Sequence, residues 1–345
     1  MSIKGRVCPL LINFFEVMEL FRTVVKIDKS NRNICYGTPF MMLGSCFAES
    51  IGNKLKQLKF NIAVNPFGIV YHPVPAAISL QRIIDGYLYN IDELREHNGL
   101  WFSFDHHGRF SQTEADTCIT QINTELQMAR EHLKQSSFLF VTFGTSWGYR
   151  LKDSGKIVAN CHKIDASNFE RINVDVDDIF DIWAVTAEKL RLFNPALQIV
   201  FTLSPVRHLG DGACRNQLSK ARLLLAIERL NTEIDSTYFP AYEIVLDELR
   251  DYRFFAEDMT HPNNTAIDYI MQRFSECYMD AETVRTLKLV EDIIKAAAHR
   301  PIHNSVESQK FAAAFLEKIA ALRKQFPALN FDEEKKKFAS LISAK

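Results

Sequence analysis

The sequence predicts an α/β protein: a mainly parallel sheet with helices on both faces, extended by a helical C-terminal appendage. Three observations predict it. Short apolar runs end on glycine or on Ser-Pro, as in Phe40-Met41-Met42-Leu43 before Gly44 and Phe138-Leu139-Phe140-Val141 before Gly144. Such uninterrupted runs suit strands buried on both faces. The runs alternate with stretches of helical periodicity long enough for crossover connections, which implies βαβ units. Beyond about residue 280 the helical periodicity continues with no strand between.

In order along the chain, residues 40–43 form the first strand. Phe47, Ile51, Leu55 and Leu58 then recur at helical spacing with charged residues between them, so a sharp turn at Gly44-Ser45-Cys46 leads into a helix. Residues 60–64 read as a second strand, followed by the turn Asn65-Pro66-Phe67-Gly68. Helix is expected over 76–84, a strand or hairpin over 100–110, and a long helix over 114–133. Strands follow at 138–141 and at 198–203, the latter ending on Ser204-Pro205. Helix is expected over 218–234, a last strand at 242–246 and a helix at 265–274. Three amphipathic helices over 284–298, 306–326 and 331–342 form the appendage, with Pro301 and Pro327 at its joints. The expected division is a possible mis-assigned or disordered extension at 1–17, an α/β domain at 18–280 and the appendage at 281–345.

Composition narrows the function. With 41 basic and 42 acidic side chains among 345 residues, and 47% apolar residues, the chain reads as an ordinary globular protein with no bias towards nucleic acid. No stretch is long and apolar enough for a membrane span. The seven cysteines include no C-x-x-C pair, so reduced thiols and a cytoplasmic location are expected, with no metal and no cofactor. Lys4 and Arg6 before the apolar run 7–15 imitate the first two parts of a signal peptide. Glu16 and Glu19 interrupt, no small-x-small site follows, and Met18 offers an alternative start.

Ligands of an open parallel sheet bind beyond the carboxyl ends of its strands. The polar residues there are Ser45, the turn holding Gly68, the exit Gly144-Thr145-Ser146, and Ser204-Pro205-Val206-Arg207-His208. Asp258-Met259-Thr260-His261 follows the last strand. Ser45 at a helix start suits a nucleophile, since unpaired N–H groups and the helix dipole favour negative charge there. It equally suits a helix cap. Asp258 and His261, three residues apart, suit a carboxylate that orients an imidazole.

Gly44-Ser45-Cys46-Phe47-Ala48 resembles the name-giving motif of the GSCFA family, which is similar to the SGNH (GDSL-like) hydrolases. The resemblance runs from about Phe21 to Phe274. It includes Asn65-Pro66-Phe67-Gly68, Phe143-Gly144-Thr145-Ser146-Trp147, Ala159-Asn160-Cys161-His162-Lys163, Ser204-Pro205-Val206-Arg207-His208 and Asp258-Met259-Thr260-His261-Pro262. It implies an SGNH-like three-layer α/β/α fold, with Ser45 as nucleophile, His261 as general base and Asp258 as orienting carboxylate. It also implies an oxyanion hole from Ser45, Gly68 and Ser146, although SGNH enzymes carry Asn where this chain has Ser146. Asn160 or His162 would then supply a donor, and Arg207 and His208 would bind an anionic or carbohydrate part of the substrate, unless they pair with Asp211. The implied reaction is hydrolysis of an O-acyl ester, such as an acetyl ester on a carbohydrate, through an acyl-enzyme. The alternatives are acyl transfer by the same residues and a non-catalytic glycan- or acyl-binding protein that keeps the fold. Cysteine chemistry at Cys46 or at Cys161-His162, and a metal set from His162, His208, Asp258 and His261, are further readings. No H-x-x-x-H spacing supports the metal set. Oligomeric state is open.

Overall fold

The structure, a computed structural model, describes residues 22–299 and 306–343. The apolar run at 7–15, Met18 and Pro301 lie outside the described residues. In chain order the elements are β1 (Phe40–Gly44), α1 (Cys46–Gln57), β2 (Ile62–Val64), α2 (Pro73–Asp85), β3 (Arg95–His97) and β4 (Leu100–Phe102). Then come α3 (Ala115–Gln135), β5 (Phe138–Phe143), β6 (Trp147–Leu151), β7 (Ile157–Val158), β8 (Phe169–Asn173) and α4 (Val176–Phe193). The chain continues through β9 (Gln198–Leu203), α5 (Ala213–Glu233), β10 (Ser236–Phe239), α6 (Asn264–Tyr278), α7 (Ala281–Ala298), α8 (Val306–Gln325) and α9 (Asp332–Ser343).

The main sheet has five strands in the order β10-β9-β5-β1-β2, and every pairing is parallel. Side chains alternate across it, as the two-residue period of a strand requires. Phe40, Met42, Phe138, Phe140 and Val200 face one layer, where Phe47, Ile51 and Leu55 of α1 and Ile270 and Phe274 of α6 cover them. Met41, Leu43, Leu139, Val141, Phe143 and Phe201 face the other, under α2, α3, α4 and α5. All residues of β1 and β5 are buried, so the uninterrupted apolar runs belong to central strands covered on both sides. The three C-terminal helices join the α1 side: Val290, Ile293, Ile319, Leu322 and Phe338 belong to the same apolar cluster as Phe40.

Three features depart from the sequence reading. Residues 242–246 are not a strand. They pass through a short helical turn, Ala241–Glu243, into a π-helical turn, Ile244–Glu248, and the last strand is β10 just before Pro240. Ile244-Val245 has strand propensity, but burial of Tyr242, Val245 and Leu249 on one side follows a helical spacing. Second, β6, β7 and β8 form a separate antiparallel sheet after β5. Third, the segment at 100–110 contributes only β4, which pairs with β3 through Asn98-Gly99, both at positive φ (52° and 74°), as a tight hairpin turn requires.

Sequential order reverses between β1 and β5: β2 lies outside β1 on one side, while β5, β9 and β10 run outward on the other. The crevice above the carboxyl ends of β1 and β5 is therefore the topological switch point, where an open α/β sheet leaves room for a ligand.

Candidate active site

Strand β1 delivers Ser45 and Cys46 to that crevice. Gly44 has φ +136°, and a Cβ there would lie 2.2 Å from the Thr142 carbonyl oxygen, so only glycine lets β1 leave the sheet this close to β5. The Gly44 N–H donates to Asn65 Oδ1 (2.8 Å) and its carbonyl accepts from Val70 N–H (3.0 Å). Gly144 N–H, at the end of β5, donates to the Tyr71 carbonyl (2.8 Å). The segment between β2 and α2 thus straps both strand ends.

Ser45 is the N-cap of α1 with extended backbone, yet its side chain makes no capping hydrogen bond. Its Oγ is buried and has no partner among the described residues. Cys46, the first residue of α1, is half-buried. Its Sγ lies 3.3 Å from His261 Nε2, and the His261 Nδ1 lies 2.6 Å from Asp258 Oδ2. The sequence placed the nucleophile at Ser45; the imidazole faces the next residue.

The order of protons in this chain is set by Asp258. The main-chain N–H groups of His261 (3.0 Å) and Thr260 (2.9 Å) both donate to Asp258 Oδ1, and with the imidazole on Oδ2 they hold the carboxyl far below the usual carboxylate range. An ionised Asp258 fixes the proton on Nδ1 and leaves the Nε2 lone pair towards the sulfur. Burial raises the Cys46 thiol, while the first-turn N–H groups of Phe47 and Cys46 pull it back, and the balance stays above the ordinary thiol value. Cys46 is therefore a thiol at neutral pH that becomes a nucleophile when a base takes its proton.

The remaining residues singled out in the sequence are placed as follows. Gly68 (φ +78°) donates its N–H to Asn65 O at 2.7 Å and closes a turn, so that donor is engaged. Ser146 is fully buried; its hydroxyl donates to Asn173 Oδ1 (2.7 Å), and its N–H donates to Ser219 Oγ (2.8 Å). This is a polar brace between β5, β8 and α5, with no donor turned towards the crevice. His162 Nε2 meets the carbonyls of Ser103 and His106 (3.0 Å each), and its ring stacks on Phe102. It faces those carbonyls rather than Cys161, whose thiol burial pushes up to about 11. Asn160 accepts from His162 N–H and lines a cavity of about 310 Å³ with Tyr71 and Tyr149. Arg207 lines a separate cavity of about 300 Å³ with Tyr242 and Tyr252, and its N–H donates to Thr260 O. Asp211, the alternative partner of Arg207 or His208, forms its ion pair with Arg171 at 2.5 Å.

His208 does approach the crevice. A Cβ on Gly144 would lie 3.3 Å from its Nε2, which is unpartnered among the described residues, and burial draws its pKa down to about 4. His162, His208, Asp258 and His261 do not converge; among the described residues no group of three or more His, Cys, Asp or Glu is arranged to hold a metal. Two larger cavities, of about 770 and 780 Å³, open away from the switch point, the first beside Gln198 and Ser236 where β9 and β10 begin. No described helix is long and apolar enough to cross a membrane.

Two groups escaped the sequence reading. Asn65 was noted only as part of a turn, but its side chain braces Gly44. Lys220, in the expected helix over 218–234, is buried, with its ammonium on the carbonyls of Gly144 and Ser204. Its signal was there: Asn216, Ser219, Lys220, Leu223, Ile227 and Leu230 form one buried stripe of α5, polar only at the end nearest the crevice.

No curated protein matches the chain. The pattern described as GSCFA domain protein, C-terminal domain, matches residues 290–344, which span most of α7 to α9. The pattern described as GSCFA family matches residues 39–274, from the start of β1 into α6. The chain belongs to the GSCFA family.

Proposed function

We propose that the protein transfers the acyl group of an ester through Cys46, with His261 as general base and Asp258 as its orienting carboxylate. One observation carries this reading: His261 Nε2 lies 3.3 Å from Cys46 Sγ while Nδ1 is held by Asp258. His261 takes the thiol proton as sulfur attacks the ester carbonyl carbon. The oxyanion that forms lies at the N-terminus of α1, where the helix dipole favours negative charge. Collapse expels the alcohol, which receives the proton from His261, and leaves a thioester on Cys46. Water, giving its proton to His261, then attacks the thioester; the acid leaves and the thiol is restored. A second alcohol in place of water gives transfer instead of hydrolysis. The substrate class is an O-acyl ester, with an acetylated carbohydrate as the first class to test.

A second reading keeps Ser45 as nucleophile. It is favoured by the Ser45 Oγ, buried at the same helix start and without a partner among the described residues. The deciding experiment is turnover of p-nitrophenyl acetate, then of acetylated sugars, by wild type, Cys46→Ala and Ser45→Ala, with mass spectrometry of the acyl-enzyme. Loss of activity in Cys46→Ala of roughly 10²-fold or more, with Ser45→Ala active and the acyl group on Cys46, is expected. A dead Ser45→Ala beside an active Cys46→Ala establishes the serine reading. Absence of turnover on every ester, with no adduct, leaves a binding protein.

A further inference from the structure

The cavity of about 300 Å³ that Arg207 lines adjoins the loop carrying Asp258 and His261, yet neither Cys46 nor His261 is on its walls. Two of its walls also hold that loop: Arg207 N–H donates to Thr260 O (3.2 Å), and Phe255 bridges Pro262. Tyr242, Val245, Leu246, Leu249 and Phe255, from the turns after β10, give the cavity an apolar side. Arg207, Asn216 and Gln217 come from the segment after β9 and the start of α5, which the bond from His208 N–H to Asn216 Oδ1 (2.9 Å) joins. Each of these three presents a donor with no acceptor among the described residues. Asn216 is only 3% exposed, and with Oδ1 taken by His208 N–H its Nδ2 is left over. Gln217 Oε1 accepts from the Tyr242 hydroxyl (2.8 Å), which leaves Nε2. The half-buried Arg207 guanidinium has neither a hydrogen bond nor an ion pair among the described residues. The other charges on the walls are spent: Arg250 pairs with Asp247 (2.9 Å) and Asp251 with Arg253 (3.3 Å).

The geometry points to a binding site for a monocarboxylate that carries an aryl or short alkyl body. The carboxylate sits on Arg207 with the amide donors of Asn216 and Gln217, and the body lies against Tyr242, Val245, Leu246, Leu249 and Phe255. An apolar pocket with a few convergent polar groups is the usual form of a small-molecule site. All the leftover groups are donors, so the ligand brings acceptors. The planar fork of an arginine matches the two oxygens of a carboxylate. A phosphate dianion brings a second charge that no free cation on the walls meets and that Asp251 opposes. A sugar leaves hydroxyls unpaired against the apolar side. The site does not depend on the ester chemistry proposed for Cys46.

The test is isothermal titration calorimetry of the full chain with 3-phenylpropionate. Its neutral amide, 3-phenylpropanamide, lacks the charge; acetate lacks the body; phenyl phosphate carries the second charge. Wild type should bind 3-phenylpropionate, and each of the other three about tenfold more weakly or less. Arg207→Met should weaken binding of 3-phenylpropionate about tenfold or more, as expected for loss of a charge-assisted hydrogen bond. Leu246 is 37% exposed, so Leu246→Glu spares the core; it sets a carboxylate against the ligand and should abolish binding. Cys46→Ala should bind as wild type does. No heat from 3-phenylpropionate at millimolar concentration overturns the proposal, as does unchanged affinity in a folded Arg207→Met protein. If that variant does not fold, Leu246→Glu decides, and wild-type affinity there overturns it. Tighter binding of phenyl phosphate overturns the monocarboxylate assignment, and loss of binding in Cys46→Ala moves the ligand to the candidate active site and overturns the separate pocket.

Discussion

His261 bridges Asp258 and Cys46, with Nδ1 at 2.6 Å from the Asp258 carboxylate and Nε2 at 3.3 Å from the sulfur. The proposed acyl transfer requires one protonation order of the three groups. Asp258 is held ionised by the N–H groups of His261 and Thr260 and by the imidazole, so it stays an acceptor through the acid range and keeps Nδ1 protonated. Asp258→Asn presents an amide that can donate to Nδ1 and so turns the tautomer over. The expected result is a fall in kcat/KM of roughly 10²- to 10⁴-fold. The melting temperature should hardly change, because Asp258 is exposed. Steady-state kinetics beside a thermal melt checks this; a variant with near-wild-type kcat/KM refutes the assigned role of Asp258.

Ser146 tests whether the polar exit of β5, Gly144-Thr145-Ser146, is catalytic. Its hydroxyl is spent on Asn173 and Ser219 inside the protein. Ser146→Ala leaves Asn173 Oδ1 without that donor, which should cost about 1–3 kcal/mol of stability. Ester turnover per folded molecule should stay within about tenfold of wild type, whereas loss of an oxyanion donor costs roughly 10²–10³ in kcat. Urea unfolding and kinetics on the same preparation separate the two.

The sheet was legible because its central strands are buried on both faces and stop at glycine or Ser-Pro; β1, β5 and β9 announce themselves in this way. The antiparallel β6–β8 sheet was not, since Trp147-Gly148-Tyr149 carries mixed burial and its turns carry charge. Helix α4 passed unread although Ile179, Phe180, Trp183, Ala187 and Leu190 repeat at helical spacing. In the site, strand ends located Gly44, Gly144 and Ser204, whereas the Asp258–His261 pair was legible from its three-residue spacing and not from the expected strand at 242–246, which is helical. Periodicity could not decide between Ser45 and Cys46. One residue of phase at a helix start turns a side chain through about 100°, and only the position of the His261 loop shows which of the two it meets. Lys220 was hidden for a different reason: a lysine in an amphipathic helix normally faces water, and only the assembled strand ends show its acceptors.

Gly44 sets how closely β1 approaches β5, and its replacement should act through two separable costs. Gly44→Ala forces a left-handed φ of +136° on a residue with a Cβ and drives that Cβ to 2.2 Å from Thr142 O. Gly155 has φ +70° with nothing within 4 Å of a Cβ, so Gly155→Ala meets the conformational cost alone, about 1–2 kcal/mol. Gly44→Ala should exceed it by about 1–3 kcal/mol from the steric clash. It should also impair ester turnover, because Ser45 and Cys46 move with the strand end. Equal urea midpoints for the two variants would show that the clash relaxes freely.

Acid should unfold the protein through its buried histidines. His72 caps α2: its Nδ1 accepts from Val74 N–H (3.2 Å), and its Nε2–H points to the Ser146 carbonyl (3.2 Å), so the neutral ring is fully used. Burial lowers His72 to about 4 and His106, stacked on Phe67, to about 3, against 6.5 for the free side chain. Between those values and 6.5 the unfolded chain binds more protons than the folded one. Stability is therefore complete above about pH 6.5 and drains away as pH falls towards 4 and then 3. For His72 the shift amounts to about 3 kcal/mol at its limit, from 1.36 kcal/mol per unit. His72→Asn keeps a capping acceptor and removes the titration. Comparing urea unfolding at pH 7.5 and 4.5, the loss on acidification should be about 2–3 kcal/mol smaller in His72→Asn than in wild type. An equal loss in both proteins would place the acid sensitivity elsewhere.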